Sequence, residues 1–375
     1  MIVAAGSSRN NSNRVCVVIY DFEPRGVQRV QIRLANEFSS LGYDVDALVF
    51  NCSGPLLSTL SPSVSVVDLS ANSAKSAFFK IIKYLFYKKP QAIFSAEDHI
   101  NIVALIACQL VPVKIKCVVS CHVSPKLWAL KPKFLSKRWY MVMLAKVLYP
   151  KADKCVAISS GMKQEYLEIL GVNPDKITVI YNPVLSLNSE SAVSDFQHPW
   201  LNHPNIKVVL GVGNLSRIKG FDDLIRAFSL LQSREFLRLI IVGDGPEMEN
   251  LVSLSNELGL REFIDFVGYS PTPESFMNLA DVFVLTSRSE GLPTVLIEAI
   301  GAGCPVVSTR CGGGAVEIME DGDLGPLVDV SDVEGICEAV HQALNNPIKK
   351  SKLIKSSERF SSSAIAMEYL ERILI

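Results

Sequence analysis

The chain has 375 residues, 49% of them hydrophobic and 20% charged, which excludes a largely disordered protein and suits two domains better than one. The net charge of −1 divides unevenly, because residues 1–190 hold 22 Lys and Arg against 13 Asp and Glu, whereas residues 191–375 hold 15 against 25. A basic half and an acidic half indicate either two domains that attract each other or a first domain that meets an anionic partner.

Short β-branched runs alternate with longer amphipathic stretches, which predicts βαβ units and parallel sheets. The first half opens with a continuous apolar run at 15–20, as expected of a strand that is buried on both faces. Apolar residues then recur at helical spacing from Val27 to Leu41, and a strand at 45–50 follows. The further strands predicted in this half are 64–69, 92–95, 116–120, 154–158 and 177–180.

The alternation stops at residues 186–205, which are rich in Ser and Asn and contain two His-Pro pairs, as is typical of a linker. A second series follows, with predicted strands at 207–212, 237–242, 263–267, 282–285 and 305–308 and helices at 220–232, 246–259, 273–280 and 293–302. We predict an N-terminal domain at 1–185, the linker, a C-terminal domain at 206–360, and a helix at 361–375 that crosses back to the first domain.

Each series predicts a doubly wound sheet, and such sheets bind ligands outside the carboxyl ends of their strands. We therefore expect functional residues in the loops that follow strands, in both halves of the chain. The nine cysteines contain no C-x-x-C pair, and no apolar run reaches about 18 residues. These features predict a cytoplasmic protein with free thiols, either free of membranes or peripheral on the inner face of the plasma membrane.

The segment with the sharpest chemistry is 289–299, which follows the strand at 282–285. Pro293 suits a first helical turn, and Leu292 has no side-chain oxygen that could cap the helix, so the first amides are available to an anion. Carboxylates on either side of this anion site would suit hydroxyl groups. The residues assigned here to a nucleotide sugar are Glu290, Gly291, Leu292, Pro293, Thr294, Val295 and Glu298.

The loop after strand 207–212 adds positive charge near the same edge of the sheet. Lys219 would partner a diphosphate that leaves as an anion, and Arg217 is a second cation one turn away. Gly213 and Gly243 end two neighbouring strands, and glycine lets a backbone approach a ligand closely. No D-x-D lies between apolar strands, so we expect neither a metal ion nor a cofactor.

These segments together resemble glycosyltransferase family 4. Glu290 and Glu298 stand in its E-x7-E pattern, followed by Gly301-x-Gly303-x-Pro305, and Lys219-Gly220 is similar to the end of its G-R-L-x-x-x-K-G motif. The resemblance implies a GT-B fold, with two doubly wound Rossmann-like domains that face each other across a cleft, and a transfer that retains the anomeric configuration. It gives Glu290 the hydroxyls of the donor sugar and Glu298 the ribose.

The same resemblance assigns several other residues. His122, after strand 116–120, would lie beside the donor sugar, Gly26 would bring backbone amides to the diphosphate or the acceptor, and Tyr269 would lie beside the base. The chain departs from the family pattern at Asn214, where arginine is usual, and at Arg25, which replaces a glycine. On the acceptor side, strand-end loops suggest three residues, Arg25, His99 and Asn101.

Two stretches of the first half, 75–89 and 126–154, are basic and rich in aromatic residues, as suits an anionic membrane surface. They equally suit helices that cover a sheet and keep their lysines in water. The sequence contains no known nucleic-acid-binding motif, so we expect no nucleic-acid partner.

The sequence and the resemblance together predict a retaining, metal-independent glycosyltransferase. It would move a hexose or N-acetylhexosamine from a UDP-sugar to a saccharide, most readily a lipid-linked one, in surface polysaccharide biosynthesis. Glu290, His122, Lys219 and Arg217 would form its catalytic set. The alternatives left open are another GT-B enzyme, such as an epimerase or a glycogen-type synthase, and a non-catalytic partner subunit that binds sugar nucleotides.

Overall fold

A computed structural model describes residues 13–71, 73–126, 133–185, 197–231 and 236–374. The chain forms two compact units. The first comprises the described residues up to Ile158, Lys163–Pro183 and the residues from Ala366 onward. The second comprises Ser159–Met162 and the described part of Val184–Ile365. Most of the predicted linker, residues 186–196, lies outside the described residues.

The first unit is built on a seven-stranded parallel sheet in the order β3-β2-β1-β4-β5-β6-β7. The central strand β1 buries Val15 to Ile19 almost completely, as a strand covered on both faces requires. The strands are β1 (Arg14–Ile19), β2 (Asp44–Val49), β3 (Ser65–Asp68), β4 (Ala92–Ala96), β5 (Lys116–Cys121), β6 (Lys154–Ala157) and β7 (Ile177–Val179). The helices are α1 (Gly26–Ser40), α2 (Ala74–Lys88), α3 (Asp98–Leu110), α4 (Lys137–Leu148) and α5 (Ser160–Leu170).

The second unit is built on a six-stranded parallel sheet in the order β10-β9-β8-β11-β12-β13. Its strands are β8 (Lys207–Val212), β9 (Leu237–Val242), β10 (Ile264–Gly268), β11 (Val282–Leu285), β12 (Val306–Thr309) and β13 (Leu327–Val328). Its helices are α6 (Phe221–Leu230), α7 (Met248–Glu257), α8 (Pro273–Leu279), α9 (Thr294–Gly301), α10 (Gly313–Ile318), α11 (Val333–Asn345), α12 (Lys350–Ser357) and α13 (Ser362–Tyr369). In each sheet the first strand of the unit lies inside the sheet, with the next two strands on one side of it and the later strands on the other. This strand order makes each a doubly wound sheet.

The last residues of the chain pack within the first unit. The Tyr369 ring lies 5.8 Å from the Phe94 ring and 6.1 Å from the Phe38 ring, between centroids. The helix continues past Tyr369 as a π-turn, and Lys116 Nζ donates to Ile373 O at 2.6 Å. An ammonium at the last carbonyls of a helix is stabilising, because it meets unpaired acceptors and the negative end of the dipole.

The predicted fold class is confirmed, because both units are parallel α/β sheets. Every strand predicted from the sequence is present, with ends that differ by no more than one residue. The sequence analysis missed β13, which has two half-buried residues and therefore shows no apolar run. In the described part of the chain, no helix is long and apolar enough to cross a membrane.

Candidate functional site

The predicted donor residues of the second unit lie in loops after its parallel strands. All strands of such a sheet run in one direction, so the loops after β8, β9, β10 and β11 meet at one edge. Lys219 follows β8 in a short 3-10 turn, and Glu290 follows β11. These two residues are 71 positions apart in the sequence and meet directly in the structure.

The central contact of this edge is an ion pair. Lys219 Nζ lies 2.6 Å from Glu290 Oε1, and the two side chains are only 25% and 13% exposed. The Ser287 hydroxyl donates to the same Glu290 oxygen at 2.7 Å. The half-buried Lys219 ammonium is a group that can bind phosphate oxygens. The Glu290 carboxylate beside it, which the Ser287 hydroxyl orients, can accept hydrogen bonds from sugar hydroxyls.

A glycine fixes the turn that carries Lys219. Gly220 has φ +66°, and a Cβ built on it would lie 2.1 Å from Thr286 O. The Thr286 hydroxyl in turn donates to Lys219 O at 3.1 Å. The turn after β8 is therefore seated against the end of β11, and no side chain fits at position 220 without moving one of them.

The loops after β8 and β9 approach each other through two predicted glycines. Gly213 N donates to Val242 O at 3.0 Å, and a Cβ on Gly243, at φ +144°, would lie 1.8 Å from Gly213 O. Asn214, the departure from the family pattern, donates from its amide nitrogen to Asp244 O at 3.1 Å. Asn214 thus braces the neighbouring loop.

Helix α9 begins with amide groups that have no side-chain cap. Pro293 is the residue before the helix, with ψ 95°, so the expectation that it lies inside the first turn is corrected by one position. Its ring and the buried Leu292 side chain offer no oxygen to the amides of Thr294 and Val295. Within the described residues these two N–H groups have no hydrogen-bond acceptor. Glu298 is half-buried further along the helix.

A run of glycines supports the backbone of the Glu290 loop. Glu290 N donates to Cys311 O at 2.9 Å. A Cβ on Gly312 would lie 2.4 Å from Glu290 O, and one on Gly314 would lie 2.2 Å from Gly291 O. Positions 312 and 314, after β12, therefore have no room for a side chain while the Glu290 loop keeps this conformation.

The side chains of two predicted donor residues are mostly exposed. The side chain of Arg217 is 89% exposed, and its nearest carboxylate is that of Glu247, with Nε 4.0 Å from Oε1. The structure does not bring this side chain into contact with Lys219 or Glu290. Tyr269 follows β10 and is 63% exposed, so its ring is free of packing on most of its surface.

The sequence analysis missed Arg288 and Ser287, both in the loop after β11. Arg288 makes hydrogen bonds to the turn after β8 and to the first residues of α6. Ser287 is buried and orients Glu290. Both residues lie in the same strand-end loop as Glu290, where functional residues are expected. Their residue types alone do not reveal which groups they contact.

In the first unit, the predicted residues after β1 lie beside a carboxylate that the sequence analysis missed. Gly26 begins α1, and no atom lies within 4 Å of the position that its Cβ would take. Arg25 pairs with Asp21 and lies over the Tyr20 ring, 5.8 Å from its centroid. Glu97, after β4, accepts a hydrogen bond from Gln28 Nε2 at 2.9 Å and has φ +73°, which is unusual for a residue other than glycine.

The surroundings of Glu97 and His99 shift the pKa values of both side chains. Burial raises the pKa of its carboxyl; Arg25 acts in the opposite direction and Asp21 in the same one. The pKa of His99 is lowered, first by burial and then by Lys137 and Arg25. The His99 ring meets the Tyr20 ring edge-on, 5.6 Å between centroids.

Asn101 differs from the other acceptor-side candidates because it lies in the core. Its side chain is fully buried, accepts from Ser95 Oγ at 2.7 Å and donates to Ser120 O and the Tyr149 hydroxyl at 2.7 and 2.9 Å. These bonds tie the ends of β4 and β5 together. An amide so placed is a structural link.

His122 follows β5, where its Nε2 lies 3.1 Å from Ser120 Oγ. Burial lowers the pKa of His122 from its ordinary value of 6.5 to about 4. The imidazole is therefore neutral at neutral pH and can form hydrogen bonds without bringing a charge.

This pKa predicts how stability depends on pH. The unfolded chain binds a proton at His122 near pH 6.5 and the folded chain only near pH 4, so the unfolded state binds more protons between these values. We expect the free energy of unfolding to fall as the pH is lowered from 6.5 towards 4, and to fall less steeply in His122→Asn. Denaturant unfolding at several pH values measures both slopes, and an NMR titration midpoint of His122 above 6 would contradict the assignment.

Among the described residues, no group of three or more His, Cys, Asp or Glu side chains is arranged to hold a metal ion.

Comparison with known proteins identifies the family of the chain. Residues 24–184 match the model described as Glycosyltransferase Family 4, and residues 194–360 match Glycosyl transferases group 1. The chain is 27% identical over 374 residues to the N-acetylgalactosamine-N,N'-diacetylbacillosaminyl-diphospho-undecaprenol 4-alpha-N-acetylgalactosaminyltransferase of Campylobacter jejuni, covering 96% of this chain and 98% of that one. It is 35% identical over 169 residues to the lipopolysaccharide core biosynthesis glycosyltransferase LpsD of Rhizobium meliloti, covering 44% and 48%.

Among solved structures, the chain resembles Anabaena Alr3699/HepE in complex with UDP, with a TM-score of 0.78, 21% identity and coverage of 96% and 99%. It also resembles the lipopolysaccharide outer core galactosyltransferase WaaB, with a TM-score of 0.74, 19% identity and the same coverage. These likenesses identify the fold as GT-B. From its matched halves and its fold, the chain belongs to the GT-B glycosyltransferases, with a family 4 domain at residues 24–184 and a group 1 domain at 194–360.

Proposed function

We propose that the protein transfers a hexose or N-acetylhexosamine from a UDP-sugar to a saccharide acceptor, with retention of the anomeric configuration. The observation that carries the proposal is the Lys219–Glu290 pair beside the uncapped start of α9. A diphosphate needs positive partners when it leaves, and Lys219 with the amides of Thr294 and Val295 would supply them. This arrangement requires no metal ion.

Each remaining donor residue has a role in this proposal. Glu290 accepts hydrogen bonds from sugar hydroxyls once Lys219 has turned to the diphosphate, and Glu298 accepts them from the ribose. Gly213 and Gly243 have no side chain, so the nucleotide can approach the backbone closely at these two strand ends. Tyr269 lies beside the base. His122 and Gly26 of the first unit serve the sugar and the diphosphate, and Arg217 contributes at longer range because it is exposed.

A UDP-linked donor and a lipid-linked acceptor are the substrates that the relatives favour. The Anabaena protein of the same fold binds UDP, and the Campylobacter relative acts on a saccharide carried by diphospho-undecaprenol. Arg25 and His99 are the acceptor-side residues that we retain. Asn101 is not among them, because its side chain is fully buried and hydrogen-bonded to Ser95, Ser120 and Tyr149.

The helices on one side of the first unit offer a surface that suits an acceptor held in a membrane. Helix α3 packs against both α2 and α4. Three aromatic side chains here are mostly exposed, Phe79 by 74%, Tyr87 by 70% and Phe134 by 72%. Exposed lysines accompany them, at 75, 83 and 88 on α2, at 89 just after it, and at 137 and 146 on α4. Apolar rings among cations fit the interface of an anionic bilayer. Residues 127–132 of the predicted basic stretch lie outside the described residues.

Replacing two of these aromatic residues tests the membrane surface. We expect Phe79→Ser with Tyr87→Ser to weaken binding to phosphatidylglycerol vesicles at least tenfold, because each ring contributes about 1–2 kcal/mol when it enters the interface. Leu230→Ser is the matched control, since Leu230 is 48% exposed on a helix of the second unit. Cosedimentation at low salt measures the change. Wild-type protein that stays in the supernatant would contradict the membrane surface.

The proposed reaction is tested by incubating the full chain with a panel of UDP-sugars and lipid-linked saccharides. We expect UDP release that depends on the acceptor, and a product whose new linkage has the anomeric configuration of the donor, as NMR would show. Release of UDP with an epimerised sugar and no transfer would instead support an epimerase. Binding of UDP-sugars without turnover by any acceptor would support a non-catalytic subunit.

A further inference from the structure

Arg288 joins two loops of the donor site through its main chain and its side chain. It lies two residues before Glu290, in the loop after β11. Its N–H donates to Ile218 O at 2.7 Å, and its Nη1 donates to Arg217 O. Both acceptors belong to the 3-10 turn Arg217–Lys219. The loop that carries Glu290 is therefore fastened to the turn that carries Lys219.

The other guanidinium nitrogen of Arg288 reaches the start of α6. Nη2 lies 2.9 and 2.8 Å from the two carboxylate oxygens of Asp222 and 2.8 Å from Asp223 Oδ2. The Asp223 side chain is only 9% exposed and also accepts from Ser331 Oγ at 3.0 Å. The buried Asp223 carboxylate needs a cation, because an unpaired buried charge is costly.

We propose that Arg288 is a positioning residue of the donor site, and that its bonds to the turn after β8 and to the start of α6 set the place of Lys219 Nζ opposite Glu290. The inference rests on the proposed function, since it assumes that Lys219 binds the diphosphate. Positioning matters here because a displacement of about 1 Å in a catalytic group can cost 100-fold in rate.

The hydrogen bonds of the Arg288 guanidinium are made to other protein groups, which favours an indirect effect through Lys219. Its side chain lines a groove of about 690 Å³ between α6 and α7, together with Arg226, Leu254 and Glu257. Its donors are directed at Asp222, Asp223 and Arg217 O, so the guanidinium is already used within the protein. Burial by itself raises the pKa of Asp222, but the hydrogen bonds and the charge of Arg288 lower it overall.

The test uses UDP as the ligand and titration calorimetry on the full chain. We expect Arg288→Gln to raise the Kd for UDP about tenfold, which is about 1.4 kcal/mol. In a Lys219→Met background the same change should have little further effect, because the residue that Arg288 positions is already absent. A residue that only stabilised the fold would cost the same affinity in both backgrounds. Thermal unfolding of each variant gives the fraction that is folded.

Two further variants make the test independent of folding problems. Asp222→Asn keeps Arg288 in place and removes one charged partner, so we expect a smaller loss of affinity in the same direction. Arg226→Gln, in the same groove, should bind UDP as the wild type does. The inference is wrong if Arg288→Gln binds UDP normally, or if its loss is equal with and without Lys219. Wild-type protein that does not bind UDP would contradict the proposed function itself.

Discussion

Replacing Lys219 by Met is expected to lower kcat/KM for the UDP-sugar by about 100- to 1000-fold, the range found when one preorganised donor is removed from a developing charge. The Lys219 ammonium is the cation placed against Glu290, and its side chain is only 25% exposed, so water does not screen it fully. Methionine keeps most of the length of the side chain and removes its charge. Steady-state kinetics of UDP release with the acceptor measures the effect.

The matched control for Lys219 is Lys207→Met. Lys207 lies at the other end of the same strand, and its Nζ is 2.7 Å from Asp281 Oδ1, so both variants break one ion pair. Lys207 is 59% exposed and should leave kcat/KM unchanged. Equal activity in the Lys219 variant and the control would remove Lys219 from the site.

Replacing Glu290 by Gln is expected to separate binding of the nucleotide from transfer of the sugar. Transfer should fall about 100-fold or more, because the amide accepts fewer and weaker hydrogen bonds from sugar hydroxyls than a carboxylate does. The affinity for UDP alone should stay the same or rise, because Lys219 Nζ is released from the carboxylate 2.6 Å away. Kinetics with the UDP-sugar and calorimetry with UDP measure the two effects on one preparation.

Glu249→Gln is the control for Glu290→Gln, because Glu249 is an exposed carboxylate in the first turn of α7. It should change neither transfer nor UDP affinity. A Glu290 variant that lost UDP affinity and transfer to the same extent would assign Glu290 to the nucleotide, against the present proposal. A variant with normal transfer would remove Glu290 from the mechanism.

The ion pair in the donor site implies an exchange of partners when the donor binds. Without a ligand, Lys219 and Glu290 satisfy each other, and Ser287 adds a hydrogen bond to the carboxylate. A diphosphate that takes Lys219 leaves the Glu290 carboxylate free to accept from sugar hydroxyls. Under the proposed function, we therefore expect binding of the nucleotide and binding of the sugar to be coupled through this one contact.

The sequence predicted the sheets well because their strands are buried on both faces. Runs such as Val15–Ile19 are continuously apolar, and this signal does not depend on distant parts of the chain. Parallel strands place the loops that follow them at one edge of the sheet. For this reason the sequence predicted that Lys219 and Glu290 belong to one site. Family membership and fold class followed from the same segments, and the comparisons confirmed both.

The sequence could not reveal which polar residues at strand ends face the solvent. Asn101 and His99 lie two positions apart, yet the Asn101 amide is fully buried between β4 and β5. Arg217 and Arg288 carry the same charge, but the first is exposed and the second is bonded to Asp222 and Asp223. Burial and pairing of this kind depend on residues far away in the sequence, so local patterns do not contain them.

A crystal structure of the full chain with UDP bound would show directly which residues hold the diphosphate. We expect the diphosphate to lie against Lys219 Nζ and the amides of Thr294 and Val295, with the ribose at Glu298 and the Lys219–Glu290 distance longer than 2.6 Å. UDP bound elsewhere, with that ion pair intact, would contradict this expectation.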